Sequence, residues 1–374
     1  MSDASSASLS AALPGAAAAA APGGAPAAAR VRTPGFWALA WQRYRGDRVG
    51  MVCLVIVALY LGLIALVAGG LVAADWRKER ATSYAPPSLI HSPAAAAAPA
   101  AASPGPGAAA QAPARRLDLS DVDPLAGEAA AIEARALKLR EAEPVKVDHL
   151  AWGADRQGRD VLDRVLQGSR ISIVVGLLAA LLAATIGTTL GALAGFLGGR
   201  VGDVLEWVYN VFTAIPSILL LFAFAAVSGR GVDSVVWVLG LTGWTGIYRL
   251  MRAEFMKHAV RDYVRAAEAL GASRGARMFR HILPNVGHVV LVQLSIHVVG
   301  FIKAEVILSY LGLGVSLDQV SWGTLLAEAQ TELVQGYWWQ LAGTTAVMAV
   351  FVTAFSLMTD ALRDALDPKL RGLE

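Results

Sequence analysis

One stretch of the chain, Val49–Ala73, reads VGMVCLVIVALYLGLIALVAGGLVA and contains no charged residue. A helix needs roughly 20 apolar residues to cross the hydrocarbon core of a bilayer, and this stretch is long enough. The composition agrees, because 56% of the 374 residues are hydrophobic and only 16% are charged. Soluble domains carry about a quarter charged residues. The sequence therefore predicts an all-α integral membrane protein.

Five more apolar stretches are long enough to span a membrane, and with 49–73 they predict six transmembrane helices. They lie at 171–197, 204–227, 232–250, 289–311 and 341–362. Residues 171–374 would then form the transmembrane core, with a connecting loop at 251–288.

Two features inside these spans predict local geometry. Pro216 lies within the third span, where it frees a backbone carbonyl and permits a kink. Gly187, Gly191 and Gly195 recur every four residues in the second span. Small residues at that spacing allow a neighbouring helix to approach closely, and packing within the subunit is favoured here over a dimer face.

The basic residues predict the orientation of the chain. The loop 251–288 carries seven Lys or Arg residues, whereas Gly312–Gln340, between spans five and six, carries none. Since short cytoplasmic loops are enriched in Lys and Arg, the loop 251–288 and both termini are expected in the cytoplasm.

The regions outside the spans are of low complexity in part. Residues 1–40 are rich in Ala and Pro, which predicts a disordered cytoplasmic tail. The segment 74–170 is expected on the extracytoplasmic side of the membrane, and it contains a flexible Ala/Pro insertion at 93–113. Between Leu125 and Leu139, apolar residues recur at helical spacing and predict a short surface helix.

Several classes of chemistry have no support in the sequence. The single cysteine, Cys53, offers no disulfide, and a net charge of +3 is too small to argue for nucleic acid. The Gly-rich loop with Lys that binds ATP is absent, as are the short zinc-protease, dithiol and serine-hydrolase motifs. The chain is therefore predicted to bind no cofactor and to be a pore, carrier or scaffold rather than an enzyme.

The cytoplasmic loop contains an unusual stretch, RDYVRAAEALGASRGARMFRHILPN, at Arg261–Asn285. Residues Arg261–Leu270 read as a helix with one narrow apolar face. That face consists of Tyr263, Ala266, Ala267 and Leu270. Gly271 follows as a stop signal, and Pro284 ends a second short helix or kinks it into span five.

Two interpretations of this helix stay open: an interfacial linker with its arginines on lipid phosphates, or a helix docked into the groove of another protein. A helix held among headgroups usually carries bulky apolar side chains. The Ala266-Ala267 pair instead favours close approach to a protein surface.

The same stretch resembles the cytoplasmic signature of bacterial ABC importer permeases, which reads Glu-Ala-Ala, three residues, Gly, nine residues, Ile-x-Leu-Pro. Ala266, Ala267, Gly271 and Leu283-Pro284 match it. Arg265 departs from it, standing in place of the glutamate; His281 stands in place of the isoleucine.

Other motifs are similar to the C-type permease subunit of dipeptide, oligopeptide and nickel importers. The stretch GADRQGRDVLDRVLQGSRISIVVG at 153–176 contains Asp155, Gly158, Arg159 and Asp160 at the positions of that branch's motif. SYLGLGV, SWGTLLAEA and the tail DALRDALDPKLRG at 360–372 also match. The resemblance is weak over 41–77 and strong over 152–372.

The resemblance implies the permease fold of type I ABC importers and a place in the bacterial inner membrane. It implies a second permease subunit, two ATPase subunits that bind ATP and Mg²⁺, an external solute-binding protein, and membrane lipid as surroundings. The expected cargo is a small solute, with di- and oligopeptides first. An ATP-independent carrier or channel is the alternative.

The resemblance also implies roles for individual residues. The ATPase contact is expected at Tyr263, Arg265, Ala266, Ala267, Glu268, Gly271, Leu283 and Pro284. Because Arg265 reverses the charge of the family glutamate, either the partner supplies a compensating acid or Glu268 takes over.

Three residues in or near the spans are candidates for a translocation path or a subunit interface: Pro216, Lys303 and Glu305. Charged residues inside a membrane are functional candidates by default. For the outer motif around Asp155, a gate or binding-protein contact and a loop-ordering ion-pair network are equally good interpretations.

Overall fold

The computed structural model describes residues 36–88, 131, 135, 146–316 and 318–366. Within these ranges the predicted all-α class is confirmed. The helices, in chain order, are α1 Phe36–Gly46, α2 Arg48–Ala68, α3 Val161–Leu197, α4 Gly199–Ala214, α5 Ser217–Ser228, α6 Val232–Thr242, α7 Thr245–Ala259, α8 Asp262–Ala269, α9 Arg274–Tyr310, α10 Trp322–Val334 and α11 Trp339–Leu366.

Some predictions fall on parts of the chain that are not described. The tail up to residue 35, the insertion 93–113 and residues 367–374 lie outside the described ranges, as does most of the predicted surface helix at 125–139. The predicted disordered tail extended too far, because α1 already begins at Phe36.

Four of the described helices are long and apolar enough to cross a membrane: α2, α3, α9 and α11. A fifth span exists if α4 and α5 are counted as one bent pair, while α6 is a shorter apolar helix. The predicted count of six is therefore not exact. The difference arises at two breaks, in the predicted third and fourth spans.

The third predicted span, 204–227, is not one kinked helix but two helices that meet at 90°. Ile215, which precedes the proline, is extended with φ −95° and ψ 132°, and Pro216 itself has φ −52° and ψ 127°. A proline disfavours helical backbone at the residue before it. Two consecutive non-helical residues turn the predicted kink into a right-angled break.

The fourth predicted span, 232–250, is also interrupted. Helix α6 ends at Thr242 and α7 begins at Thr245. At Gly243 an added Cβ would collide with the aromatic ring of Phe301 on α9. The absence of a side chain at Gly243 lets α9 approach the point where the helix breaks.

Helix α3 forms the centre of the molecule, and its glycines are the reason it packs so closely. An added Cβ would lie 2.6 Å from the Trp244 carbonyl oxygen at Gly187 and 2.6 Å from that of Tyr248 at Gly191. At Gly195 it would collide with the carbonyl oxygen of Arg252. The prediction of packing within the subunit is confirmed, since all three glycines face α7 of the same chain.

The outer segment folds back onto the start of α3. Residues 75–88 and 146–160 are joined by isolated bridges such as Glu79 to Arg159 and Ala81 to Val147. Asp160 caps α3, because its carboxylate accepts a hydrogen bond from the backbone N–H of Leu162 at 2.8 Å. The helix therefore begins at Val161, well before the predicted start at 171.

Candidate functional sites

Helix α8 agrees with the predicted helix at Arg261–Leu270 to within one residue at each end. It spans Asp262–Ala269, and Gly271 follows with φ +84°, a left-handed conformation that favours glycine. The N–H groups of Gly271 and Ala272 donate to the carbonyl oxygens of Glu268 and Ala267, each at 2.9 Å. This pattern ends the helix and turns the chain into α9.

The residues of the predicted apolar face of α8 are divided between an exposed side and a buried side, with Ala267 alone of the four buried. The buried side chains are Val264 and Ala267, and Val264 packs in one cluster with Met278 and Ile282 of α9. Tyr263 and Ala266 are exposed, and Leu270 is 89% exposed. Val264 and Ala267 lie three residues apart and therefore share one side of α8. Val264 brings that side against α9. Tyr263, Ala266 and Leu270 form an exposed row, called here the outer row because it faces away from the rest of the chain.

The charged residues of α8 bear on the question of whether Glu268 replaces the family glutamate. Glu268 forms an ion pair with Arg277 at 2.6 Å, and the Arg277 guanidinium also lies over the ring of Phe196, 5.5 Å from its centre. Glu268 is therefore engaged within this chain, where it ties α8 to the start of α9. Arg265 is exposed, and its side chain has no hydrogen bond or ion pair with another described residue. The interpretation that Glu268 replaces the family glutamate is disfavoured.

Pro284 does not end the helix that precedes it. The chain continues as α9 from Arg274 to Tyr310, and a π-helical segment at Arg277–Ile282 lies directly before Leu283 and Pro284. The N–H of Leu283 donates to the carbonyl oxygen of Met278, five residues earlier. The wider turn of a π-helix accommodates the proline without a sharp kink.

A hydrogen bond joins α8 to α7. The Tyr263 hydroxyl lies 2.8 Å from Nδ1 of His258. Burial lowers the pKa of His258 and raises the pKa of Tyr263. A neutral imidazole therefore faces the phenol at neutral pH, which gives a second link between α8 and the membrane helices.

Just before the start of α3, Asp155 is the centre of a buried ion-pair network, called here the outer cluster. Its carboxylate accepts from Arg159 Nε and from Arg164 Nη1, both at 2.7 Å, and from two backbone N–H groups at 2.8 and 2.9 Å. Gly158 allows the loop to close, since an added Cβ would collide with the carbonyl oxygen of Ala81. This geometry orders a loop.

Arg164 extends the outer cluster to α10. It is 1% exposed and binds both carboxylate oxygens of Glu328, at 2.7 and 3.1 Å. Bidentate pairs of this kind fix orientation as well as distance. Sequence reasoning did not select Arg164 or Glu328 as site residues, although Arg164 lies inside the quoted motif. The interpretation as a loop-ordering network is therefore favoured over a gate.

Glu332 completes the outer cluster. It is buried, and its Oε1 accepts a hydrogen bond from the backbone N–H of Arg156 at 3.4 Å. Burial, together with the negative charges of Asp155 and Glu328, raises the pKa of Glu332 to about 7. Glu328 and Glu332 lie four residues apart on α10, and that spacing is the signal that could have identified them as neighbours.

The three path candidates are not brought together. Pro216 forms the bend between α4 and α5, Lys303 is exposed on α9, and Glu305 is fully buried. Next to the Pro216 bend lies a cleft of about 360 Å³, lined in part by Ser217, Thr242 and His297. Among the described residues, no group of three His, Cys, Asp or Glu side chains could hold a metal ion.

Comparisons with known proteins agree on one family. Residues 187–372 match the family described as "Binding-protein-dependent transport system inner membrane component", and residues 35–87 match "N-terminal TM domain of oligopeptide transport permease C". The dipeptide transport system permease protein DppC of Bacillus subtilis is 34% identical over 228 residues, which cover 61% of this chain and 71% of that protein.

Two further relatives carry similar names. DppC of Escherichia coli K12 is 40% identical over 219 residues, 59% of this chain and 73% of that protein. The oligopeptide permease protein OppC of Bacillus subtilis is 35% identical over 229 residues, 61% of this chain and 74% of that protein. Among solved structures, the inward-facing MetNI methionine ABC transporter is similar over 55% of this chain and 96% of that chain. Its TM-score of 0.45 and 14% identity are too low to support an argument.

Proposed function

This chain belongs to the family of inner-membrane permease components of binding-protein-dependent ABC importers, and we propose that it conducts di- and oligopeptides in concert with a second permease. It is a multi-pass permease subunit of the bacterial inner membrane and not an enzyme. The peptide cargo is supported by the names of the relatives, which include dipeptide and oligopeptide permeases.

The observation that carries the coupling proposal is the outer row of α8. Tyr263, Ala266 and Leu270 are exposed on a helix whose other side is packed against α9. A short helix with small and apolar exposed side chains suits a groove on another protein. We assign that groove to an ATPase subunit, one of two that bind ATP and Mg²⁺ in the assembled importer.

The contacts that anchor α8 determine which helices would move with it. The Glu268–Arg277 ion pair links it to α9, and the contact of Tyr263 with His258 links it to α7. When the ATPase subunits close around ATP, they would drag α8 and tilt these two helices, so that the path opens alternately outward and inward. The lone positive charge of Arg265 would meet an acidic group of the ATPase.

The remaining assignments follow from charge and position. We infer that the basic loop and both termini lie in the cytoplasm, an orientation that the distribution of Lys and Arg favours. The outer cluster around Asp155 then lies on the external side, where a solute-binding protein delivers cargo. We infer that this cluster holds the outer surface in shape and does not contact the substrate.

The test is transport in a reconstituted complex. The full chain, the second permease and the ATPase subunits are placed in liposomes, with ATP inside and binding protein loaded with a radiolabelled tripeptide outside. Uptake that requires both ATP and the binding protein is the expected result. Equal uptake with ADP would favour the alternative, an ATP-independent carrier or channel.

A further inference from the structure

Glu305 is a buried acid for which the proposed function has no role. It lies on α9 and is 0% exposed. The hydroxyl of Ser309, one turn later, donates a hydrogen bond to Oε1 at 2.6 Å. The hydroxyls of Ser172 on α3 and Ser321 at the start of α10 also face the carboxyl. The group therefore stands where three helices meet, a place called here the three-helix junction.

The junction is closely packed. Trp322, the first residue of α10, is fully buried and donates twice to α3, from its backbone N–H to Ser172 Oγ and from Nε1 to Ser169 Oγ, both at 3.1 Å. At Gly323 an added Cβ would lie 2.6 Å from Cβ of Ser309. Helix α10 therefore has little freedom to slide on α3 or α9 without disturbing the surroundings of Glu305.

The carboxyl is not explained as half of an ion pair. Lys303, two residues earlier, is exposed and makes no contact with it. The second oxygen, Oε2, is buried, and although the Ser172 and Ser321 hydroxyls face the carboxyl, no described residue makes a hydrogen bond of good geometry to this atom. A buried polar atom without a partner is costly, and a leucine would fill such a site at lower cost if packing were its only purpose.

The position of Glu305 along α9 suggests a role in passing movement from one helix to another. Helix α9 is continuous from Arg274 to Tyr310, and its cytoplasmic end is tied to α8 by the Glu268–Arg277 pair. Arg277 and Glu305 lie 28 residues apart, or about 40 Å along a helix. A displacement of α8 would therefore be carried by one rigid element to the junction with α10.

Helix α10 in turn reaches the outer cluster. Glu328, in the middle of α10, binds Arg164 at the start of α3, and Arg164 also binds Asp155. A shift of α10 at its buried start would thus act on the outer surface. The start and the middle of α10 are attached to α3 by different means, hydroxyl contacts at Trp322 and charges at Glu328.

We propose that Glu305 is a positioning residue that couples α9 to α10, so that the movement of the cytoplasmic helix α8 is passed through the three-helix junction to the outer face of the permease. The inference rests on the proposed function, because it assumes that α8 receives the ATPase movement. It assigns to Glu305 a role in communication between the two sides of the membrane rather than contact with cargo.

The test measures communication separately from assembly. In the reconstituted complex, ATPase activity is recorded with and without peptide-loaded binding protein for the wild type, Glu305→Ala, Glu305→Gln and Leu291→Ala. We expect the Glu305→Ala complex to keep its ATPase subunits and its basal rate of ATP hydrolysis. Stimulation of that rate by the loaded binding protein should be at least about fivefold weaker than in the wild type, a change in the range typical of coupling between sites. Glu305→Gln keeps an oxygen acceptor for Ser309 and should recover most of the stimulation.

Leu291→Ala changes an exposed side chain on the same helix; it is the matched control and should behave as the wild type. Normal stimulation in Glu305→Ala would overturn the inference while leaving the proposed function intact. If Glu305→Ala does not assemble, Ser309→Ala replaces it, since that variant removes the 2.6 Å hydrogen bond and keeps the acid. Full stimulation in Ser309→Ala would likewise overturn the inference. A wild type without any stimulation would count against the proposed function itself.

Discussion

Replacing Gly191 by alanine tests the close packing of α3 on α7. The new Cβ would lie 2.6 Å from the Tyr248 carbonyl oxygen and 2.9 Å from Cβ of Met251. Carbon atoms in favourable contact are ~3.5–4.0 Å apart. Helix α7 must therefore retreat by roughly half an ångström or more, because the obstacle is backbone that cannot rotate away.

The magnitude follows from two opposing effects. Overpacking of this kind costs about 1–3 kcal/mol. Alanine recovers up to about 1 kcal/mol relative to glycine inside a helix. A net loss of about 1–2 kcal/mol is expected, which should lower the melting temperature by a few degrees.

The matched control is Gly62→Ala on α2, where an added Cβ meets nothing within 4 Å. The two full-length variants are purified in the same detergent, and their unfolding is followed by intrinsic fluorescence. We expect Gly191→Ala to melt below the wild type and Gly62→Ala to melt at or above it. Equal melting temperatures for the two variants would refute the packing argument.

Three further predictions concern charged groups. Asp155→Ala leaves Arg164 buried with one partner fewer and should cost about 3–5 kcal/mol, seen as a lower melting temperature; an unchanged value would exclude a stabilising role for the outer cluster. The folded-state pKa of Glu332 is raised from the ordinary glutamate value of 4.5 to about 7, so the free energy of unfolding should fall as the pH rises from 4.5 to about 7. Glu332→Gln should abolish that fall; a fall that persists in this variant belongs to another group. Arg265→Glu should reduce the amount of ATPase subunit that co-purifies with the chain, and should make that amount less sensitive to ionic strength, because an attraction between charges is lost. Unchanged co-purification at two ionic strengths would show that Arg265 meets no acid.

The apolar runs were sufficient to predict a helical membrane protein and to locate the spans at α2 and α11. They could not reveal the breaks at Pro216 and Gly243. A proline in a span predicts anything from a slight kink to a right angle, and the outcome depends on the next turn of backbone. At Gly243 the contact is with Phe301, which is distant in the sequence.

The candidate sites were predictable where the signal is local. Gly271 ends α8 as expected, because a left-handed residue after a helix is readable from the sequence. The sequence did not identify Val264 as a buried residue of α8, since its burial depends on where Met278 and Ile282 return in space. The pairing of Glu268 with Arg277 and of Arg164 with Glu328 likewise arises from folding and not from spacing.

The central claim is that the outer row of α8 docks onto an ATPase subunit, and Ala266→Trp tests it most directly. Ala266 is exposed, so a bulky side chain there should leave the chain itself folded, whereas Ala267 is buried and would not give a clean result. Gln42→Trp, an exposed position on the cytoplasmic helix α1, is the control for added bulk.

The measurement is the amount of ATPase subunit that co-purifies with each full-length variant from membranes containing the assembled importer. Docking through the outer row predicts that Ala266→Trp loses most of the ATPase and all ATP-driven uptake, while Gln42→Trp retains both. Full retention and normal uptake with Ala266→Trp would contradict the account.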